Sequence, residues 1–78
     1  MNVLAFGIVK DIFQNSAITI DTKDASSVDA LKLFLENKFP RLKELASYMV
    51  AVNNEYASAN IDISDKDEIA IIPPVSGG

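Results

Sequence analysis

The sequence predicts an α+β domain, a mixed β-sheet with one main helix packed on one face. Three observations predict it. Runs rich in strand-forming residues stand near both ends of the chain, over Val3–Val9 and Glu68–Ile72, each short enough for a core strand. Between them lies one long stretch with helical spacing, Val28 to Phe39. Further strand-like segments flank that stretch, which favours a helix laid across a sheet over a regular strand–helix alternation.

Val3–Val9 reads as the first strand, closed by the polar run Lys10–Ser16 with its turn-favouring Asn15-Ser16. Ala17–Asp21 then alternates, Ile18 and Ile20 on one face and Ala17, Thr19 and Asp21 on the other. That pattern suits a half-buried strand, the antiparallel hairpin partner of the first. Either Ser26 or Ser27 serves as N-cap of the helix, and Asp29 complements the positive end of its dipole. Helical spacing gathers Val28, Leu31, Leu35 and Phe39 into one stripe, with Phe34 on its flank and Leu33 facing solvent or a partner. Pro40 disfavours helical geometry at Phe39 and ends the helix there. Arg41–Ala46 adds a short helical turn.

Tyr48–Val52 is the third strand. Asn53-Asn54-Glu55 is a tight turn, because asparagine tolerates the positive φ that hairpins demand. Tyr56–Ile63 is a weak strand, and Asp65-Lys66-Asp67 a charged turn into the last one. In Glu68–Ile72 the residues Ile69 and Ile71 share one face, Ala70 and Ile72 the other. The first and last strands are nearly all apolar and are natural central neighbours. Run parallel, they would make this the ubiquitin-like β-grasp arrangement; periodicity alone leaves that pairing open.

Composition narrows the chemistry. A chain of 78 residues, 49% apolar and 23% charged, is one small globular domain. It has little room for both a core and a deep active-site pocket, which favours a carrier, binding module or subunit over a stand-alone enzyme. A net charge of −4 with no basic block argues against nucleic acid. The sequence has no cysteine and no histidine, so thiolate or imidazole metal sites and histidine acid–base catalysis are excluded. Asp65, Asp67 and Glu68 lack the shape of a calcium loop, and no metal site is expected. No leader peptide or membrane-length apolar run is apparent, so a cytoplasmic location with no membrane partner is the expectation.

The organising feature is the ending. Residues 1–72 read as the domain and 73–78 as a projecting tail. Pro73 and Pro74 lack an N–H and have a fixed φ, so they stop the sheet ladder and carry the chain outward as a stiff stalk. Val75, Ser76, Gly77 and Gly78 follow, reaching at most about 13 Å when extended. None of these side chains is an acid, base or strong nucleophile. The reactive candidate is the carboxylate of Gly78, with Gly77 giving clearance in a narrow channel. Such a carboxylate needs activation, for instance as an acyl-adenylate.

With Val50-Ala51-Val52-Asn53 and the run from Asp65 through Pro73-Pro74-Val75-Ser76-Gly77-Gly78, the sequence resembles the small, sulfur-carrier subunit of molybdopterin synthase. Phe6 and Lys10 fall where that family tends to have an aromatic residue and an arginine, and Lys66 where it often has glycine. The resemblance implies an ATP-using, ubiquitin-activating-like adenylyltransferase that loads Gly78, and no permanently bound cofactor. It implies conversion of Gly78 to a thiocarboxylate and insertion of the tail into the large catalytic subunit, commonly as a heterotetramer. There sulfur would pass to a pterin precursor of the molybdenum cofactor, with acid–base work done by the partner. Phe6, Lys10 and Ile72 are the candidate docking residues, Phe6 being equally readable as core. A sulfur carrier for thiazole synthesis or transfer-RNA thiolation, or a ubiquitin-like modifier, would share the same ending.

Overall fold

The computed structural model describes residues 1–45, 47–58 and 60–74. Strand β1 covers Asn2–Ala5 and helix α1 Gly7–Phe13; β2 covers Ala17–Thr19 and α2 Val28–Lys38. A 3₁₀ turn follows at Pro40–Glu44, then β3 at Met49–Val52, β4 at Glu55–Tyr56 and β5 at Glu68–Ile72. The five strands form one sheet in the order β2-β1-β5-β3-β4. β1 and β5 are the parallel central pair, Val3 opposite Ile69 and Ala5 opposite Ile71. β2 and β3 flank them antiparallel. This is the ubiquitin-like β-grasp.

The first strand is shorter than its apolar run suggests, and the expected polar loop is largely a helix. The chain turns at Gly7, where φ is +55°. Beyond it Val9, Ile12 and Phe13 are buried at helical spacing, while Lys10 and Asp11 are the helix's wet side. Gln14 ends α1 in a left-handed conformation, its N–H donating to the Lys10 carbonyl. Ser16 does face the strand, its carbonyl accepting from Ala5 N at 2.9 Å.

Ser27 is the N-cap of α2, its Oγ accepting from Ala30 N at 3.2 Å. Val28, Leu31 and Leu35 are buried against Val3, Val50, Ile69 and Ile71 of the sheet's inner face. Full burial of each such side chain contributes about 1.5–3 kcal/mol. Phe39, the fourth residue of the stripe, is half-buried and stacks on Phe13, ring centroids 4.5 Å apart. That contact ties the end of α2 to α1. Leu42 of the 3₁₀ turn closes the same layer with no exposed surface. The weak segment after β4 contributes a single bridge, Asp62 to Ser27.

Candidate functional site

The two central strands end within one residue of each other, β1 at Ala5 opposite Ile71 and β5 at Ile72. Their register places Phe6 beyond Ala5 and Ile72 beyond Ile71, followed by Gly7 on one strand and Pro73 on the other. β1 leaves the sheet by turning at Gly7; β5 loses its ladder donor at Pro73. The two meet: a Cβ built on Gly7 would lie 3.1 Å from Pro73 Cγ. Pro73 and Pro74 are both half-buried. The remaining tail residues expected to act, Val75, Ser76, Gly77 and Gly78, lie outside the described residues.

Upstream of the prolines, the sheet's outer face is uncovered and largely apolar, with Glu68 and Asn54 at its far end. Pairing sets Ala17, Leu4, Ala70, Ala51 and Tyr56 in one row across the five strands. Three of these five are alanines, so the floor is low. Phe6 (47% exposed), Met49 (47%), Tyr56 (68%) and half-buried Ile72 stand above it. The result is a shallow depression of about 250 Å³, lined mainly by Leu4, Phe6, Ala51, Tyr56, Ala70 and Ile72. A second hollow of about 420 Å³ adjoins it across Leu4 and Phe6, reaching Gly7, Lys10 and Ala17. Phe6 therefore belongs to the surface rather than the core. It joins the two hollows, one holding Ile72 and the other Lys10. Among the described residues Lys10 pairs with no carboxylate. Contiguous apolar surface of this kind marks interaction sites.

The base of β5 is held by side chains. Asn53 and Asn54 adopt positive φ (52° and 71°), which makes the tight β3–β4 turn. The Asn53 amide donates to Asp67 Oδ1 at 2.8 Å and its oxygen accepts from Glu68 N at 2.9 Å. Ser64 N donates to the other Asp67 oxygen at 2.9 Å. The Ser64 backbone bond first, then the Asn53 amide, hold the Asp67 carboxyl below its ordinary pKa. Lys66 does not have a positive φ, so this turn needs no glycine there. Among the described residues no cluster of three His, Cys, Asp or Glu could hold a metal, and no helix is long and apolar enough to cross a membrane.

The ThiS family model matches residues 3–78. The molybdopterin synthase sulfur carrier subunit of Dictyostelium discoideum is 41% identical over 80 residues, covering 97% of this chain and 93% of the relative. The chain belongs to the ThiS family. Among solved structures, the putative molybdopterin converting factor subunit 1 from Pyrococcus furiosus matches this ThiS-family fold with a TM-score of 0.85 at 22% identity, over 95% of both chains. A chain in the complex of subunits 1 and 2 of molybdopterin-converting factor from Helicobacter pylori matches at 0.69 and 27% identity, covering 99% of this chain and 96% of that one.

Sequence reasoning named Phe6, Lys10 and Ile72 but missed Leu4, Met49, Ala51 and Tyr56. The signal for them was present in the period-two alternation: residues sharing a face with Ala70 and Ile72 follow once the strands are placed side by side. Gly7 was missed because its role depends on a contact 66 residues away in the chain (73 − 7).

Proposed function

We propose that this protein is a sulfur carrier in molybdenum cofactor biosynthesis, acting as the small subunit of a molybdopterin synthase. The observation that carries the reading is that the family match extends through residue 78, so the Pro-Pro-Val-Ser-Gly-Gly ending lies inside it. The relative from Dictyostelium discoideum is named for that synthase, which favours this pathway over other sulfur-carrier routes.

In this reading a Gly78 carboxylate oxygen attacks the α-phosphorus of ATP on an activating adenylyltransferase, and pyrophosphate leaves. Hydrosulfide, or its equivalent from a persulfide and a thiol reductant, then attacks the acyl carbon. The C–S bond forms, the bond to AMP breaks, and Gly78 becomes a thiocarboxylate. The loaded tail enters the large subunit and gives its sulfur to the pterin precursor. This chain supplies the handle, the stalk and a docking face; the partners supply acids and bases. Pro73 and Pro74 reduce the ordering cost of threading the tail, because a rigid segment has less freedom to lose. Phe6, Ile72 and their apolar neighbours bind the partners, and Lys10 adds a cation at the rim.

The test is the intact mass of the C-terminal peptide after expression with the natural partners. Exchange of one oxygen for sulfur on Gly78 is expected. Isopeptide conjugates to lysines of other proteins would instead identify a modifier. Deletion of Gly78 is expected to abolish molybdoenzyme activity in cells, and normal activity in that strain would end the proposal.

A further inference from the structure

Resting on the carrier reading above, we propose that Gly7 is a positioning residue for the tail: its bare α-carbon is the seat on which Pro73 sets the direction of the stalk. The parallel pairing ends at Ala5 and Ile71, and two residues further on Gly7 and Pro73 lie beside each other. The two residues are complementary. Pro73 has no N–H to leave unpaired beside a strand that has turned away, and Gly7 has no Cβ to obstruct the ring. A Cβ would stand 3.1 Å from Pro73 Cγ, closer than ordinary van der Waals contact, so the ring would have to yield. Residues beyond Pro74 add up to about 13 Å of reach. A displaced ring therefore changes the direction in which the chain leaves Pro74.

Gly7 also has φ +55°, which strains most L-residues whatever space surrounds them. Asparagine separates the two effects. It tolerates positive φ, as Asn53 and Asn54 do here, yet carries a Cβ.

The experiment measures ATP-dependent loading of full-length protein by its activating enzyme. Gly7→Asn is expected to melt close to the parent, and because Gly7 also lines the hollow beside Phe6, KM and kcat are read separately. Its kcat is expected to fall about 10- to 100-fold, the usual consequence of misplacing a reacting group by about an ångström. In a Pro73→Ala background, where Cγ is gone, the same substitution should leave kcat where Pro73→Ala alone puts it. An unchanged kcat in Gly7→Asn, or an equal fall in both backgrounds, overturns the seat. A measurement on the parent protein needs no variant to fold: a nuclear Overhauser contact between Gly7 Hα and Pro73 Hγ is expected, and its absence also overturns it. A parent protein that is never loaded counts against the carrier reading instead, and leaves the nuclear Overhauser test standing.

Discussion

Asn53 shows how one side chain can hold two turns together. Its amide reaches across from the β3–β4 turn to Asp67 and Glu68, at the start of the strand that becomes the tail. Asn53→Ala removes both bonds and puts alanine at a φ of 52° that it resists. A loss of about 1–2 kcal/mol is expected in denaturant unfolding from the left-handed backbone alone. The pH dependence has a definite sign. Asp67 has a lowered folded pKa, so its contribution is fully present above the unfolded carboxyl value of about 3.9 and fades as pH falls through the folded one. In Asn53→Ala, NMR titration of the Asp67 carboxyl should move up toward the ordinary value without reaching it, because the Ser64 N–H still donates. No movement would mean that Asn53 does not share in stabilising the carboxylate. The asparagine turn itself was legible in the sequence, because positive φ is a local property. The Asn53–Asp67 bridge was not, because it joins turns 14 residues apart.

At the scale of elements, α1 marks where local reading ends. Val3 to Val9 is a continuous apolar run, and such a run fits a buried strand as well as the start of a helix. Gly7 decides between them, and a lone glycine in an apolar run gives only a weak signal. The helix α2 was legible because its stripe, N-cap and terminating proline agree. Phe13 follows from the correction: it is buried in α1 and stacked on Phe39. Phe13→Ala is expected to cost about 3–5 kcal/mol in denaturant unfolding, as for other buried aromatic truncations. Leu33 provides the contrast. It lies on the solvent side of α2, 60% exposed, and Leu33→Ser should shift stability by no more than about 0.5 kcal/mol. Equal effects from the two substitutions would mean that α1 does not pack as described.

At the scale of the molecule, the two faces of the sheet divide the work. The inner face and α2 use Val3, Ile69, Ile71, Leu31 and Leu35 to stabilise the fold. The outer face contributes little to that core and keeps a low alanine floor ringed by Phe6, Met49, Tyr56 and Ile72. In the carrier reading, stability and docking are therefore separable by substitution. Ile72 is the sharpest probe, being half-buried on the outer side of β5 and adjacent to the stalk. Ile72→Asp should leave the protein folded with a modest loss of stability, because its side chain points away from the helix layer. A carboxylate there would have to be desolvated in any apolar interface, and truncating or charging a central anchor typically costs 2 kcal/mol or more, about 30-fold in affinity. Calorimetric titration against the large synthase subunit, with a circular dichroism melt of the same sample, reads both quantities. Weakened binding with a retained melt places the partner on this face. Unchanged binding with a retained melt would mean that the partner does not dock on this face.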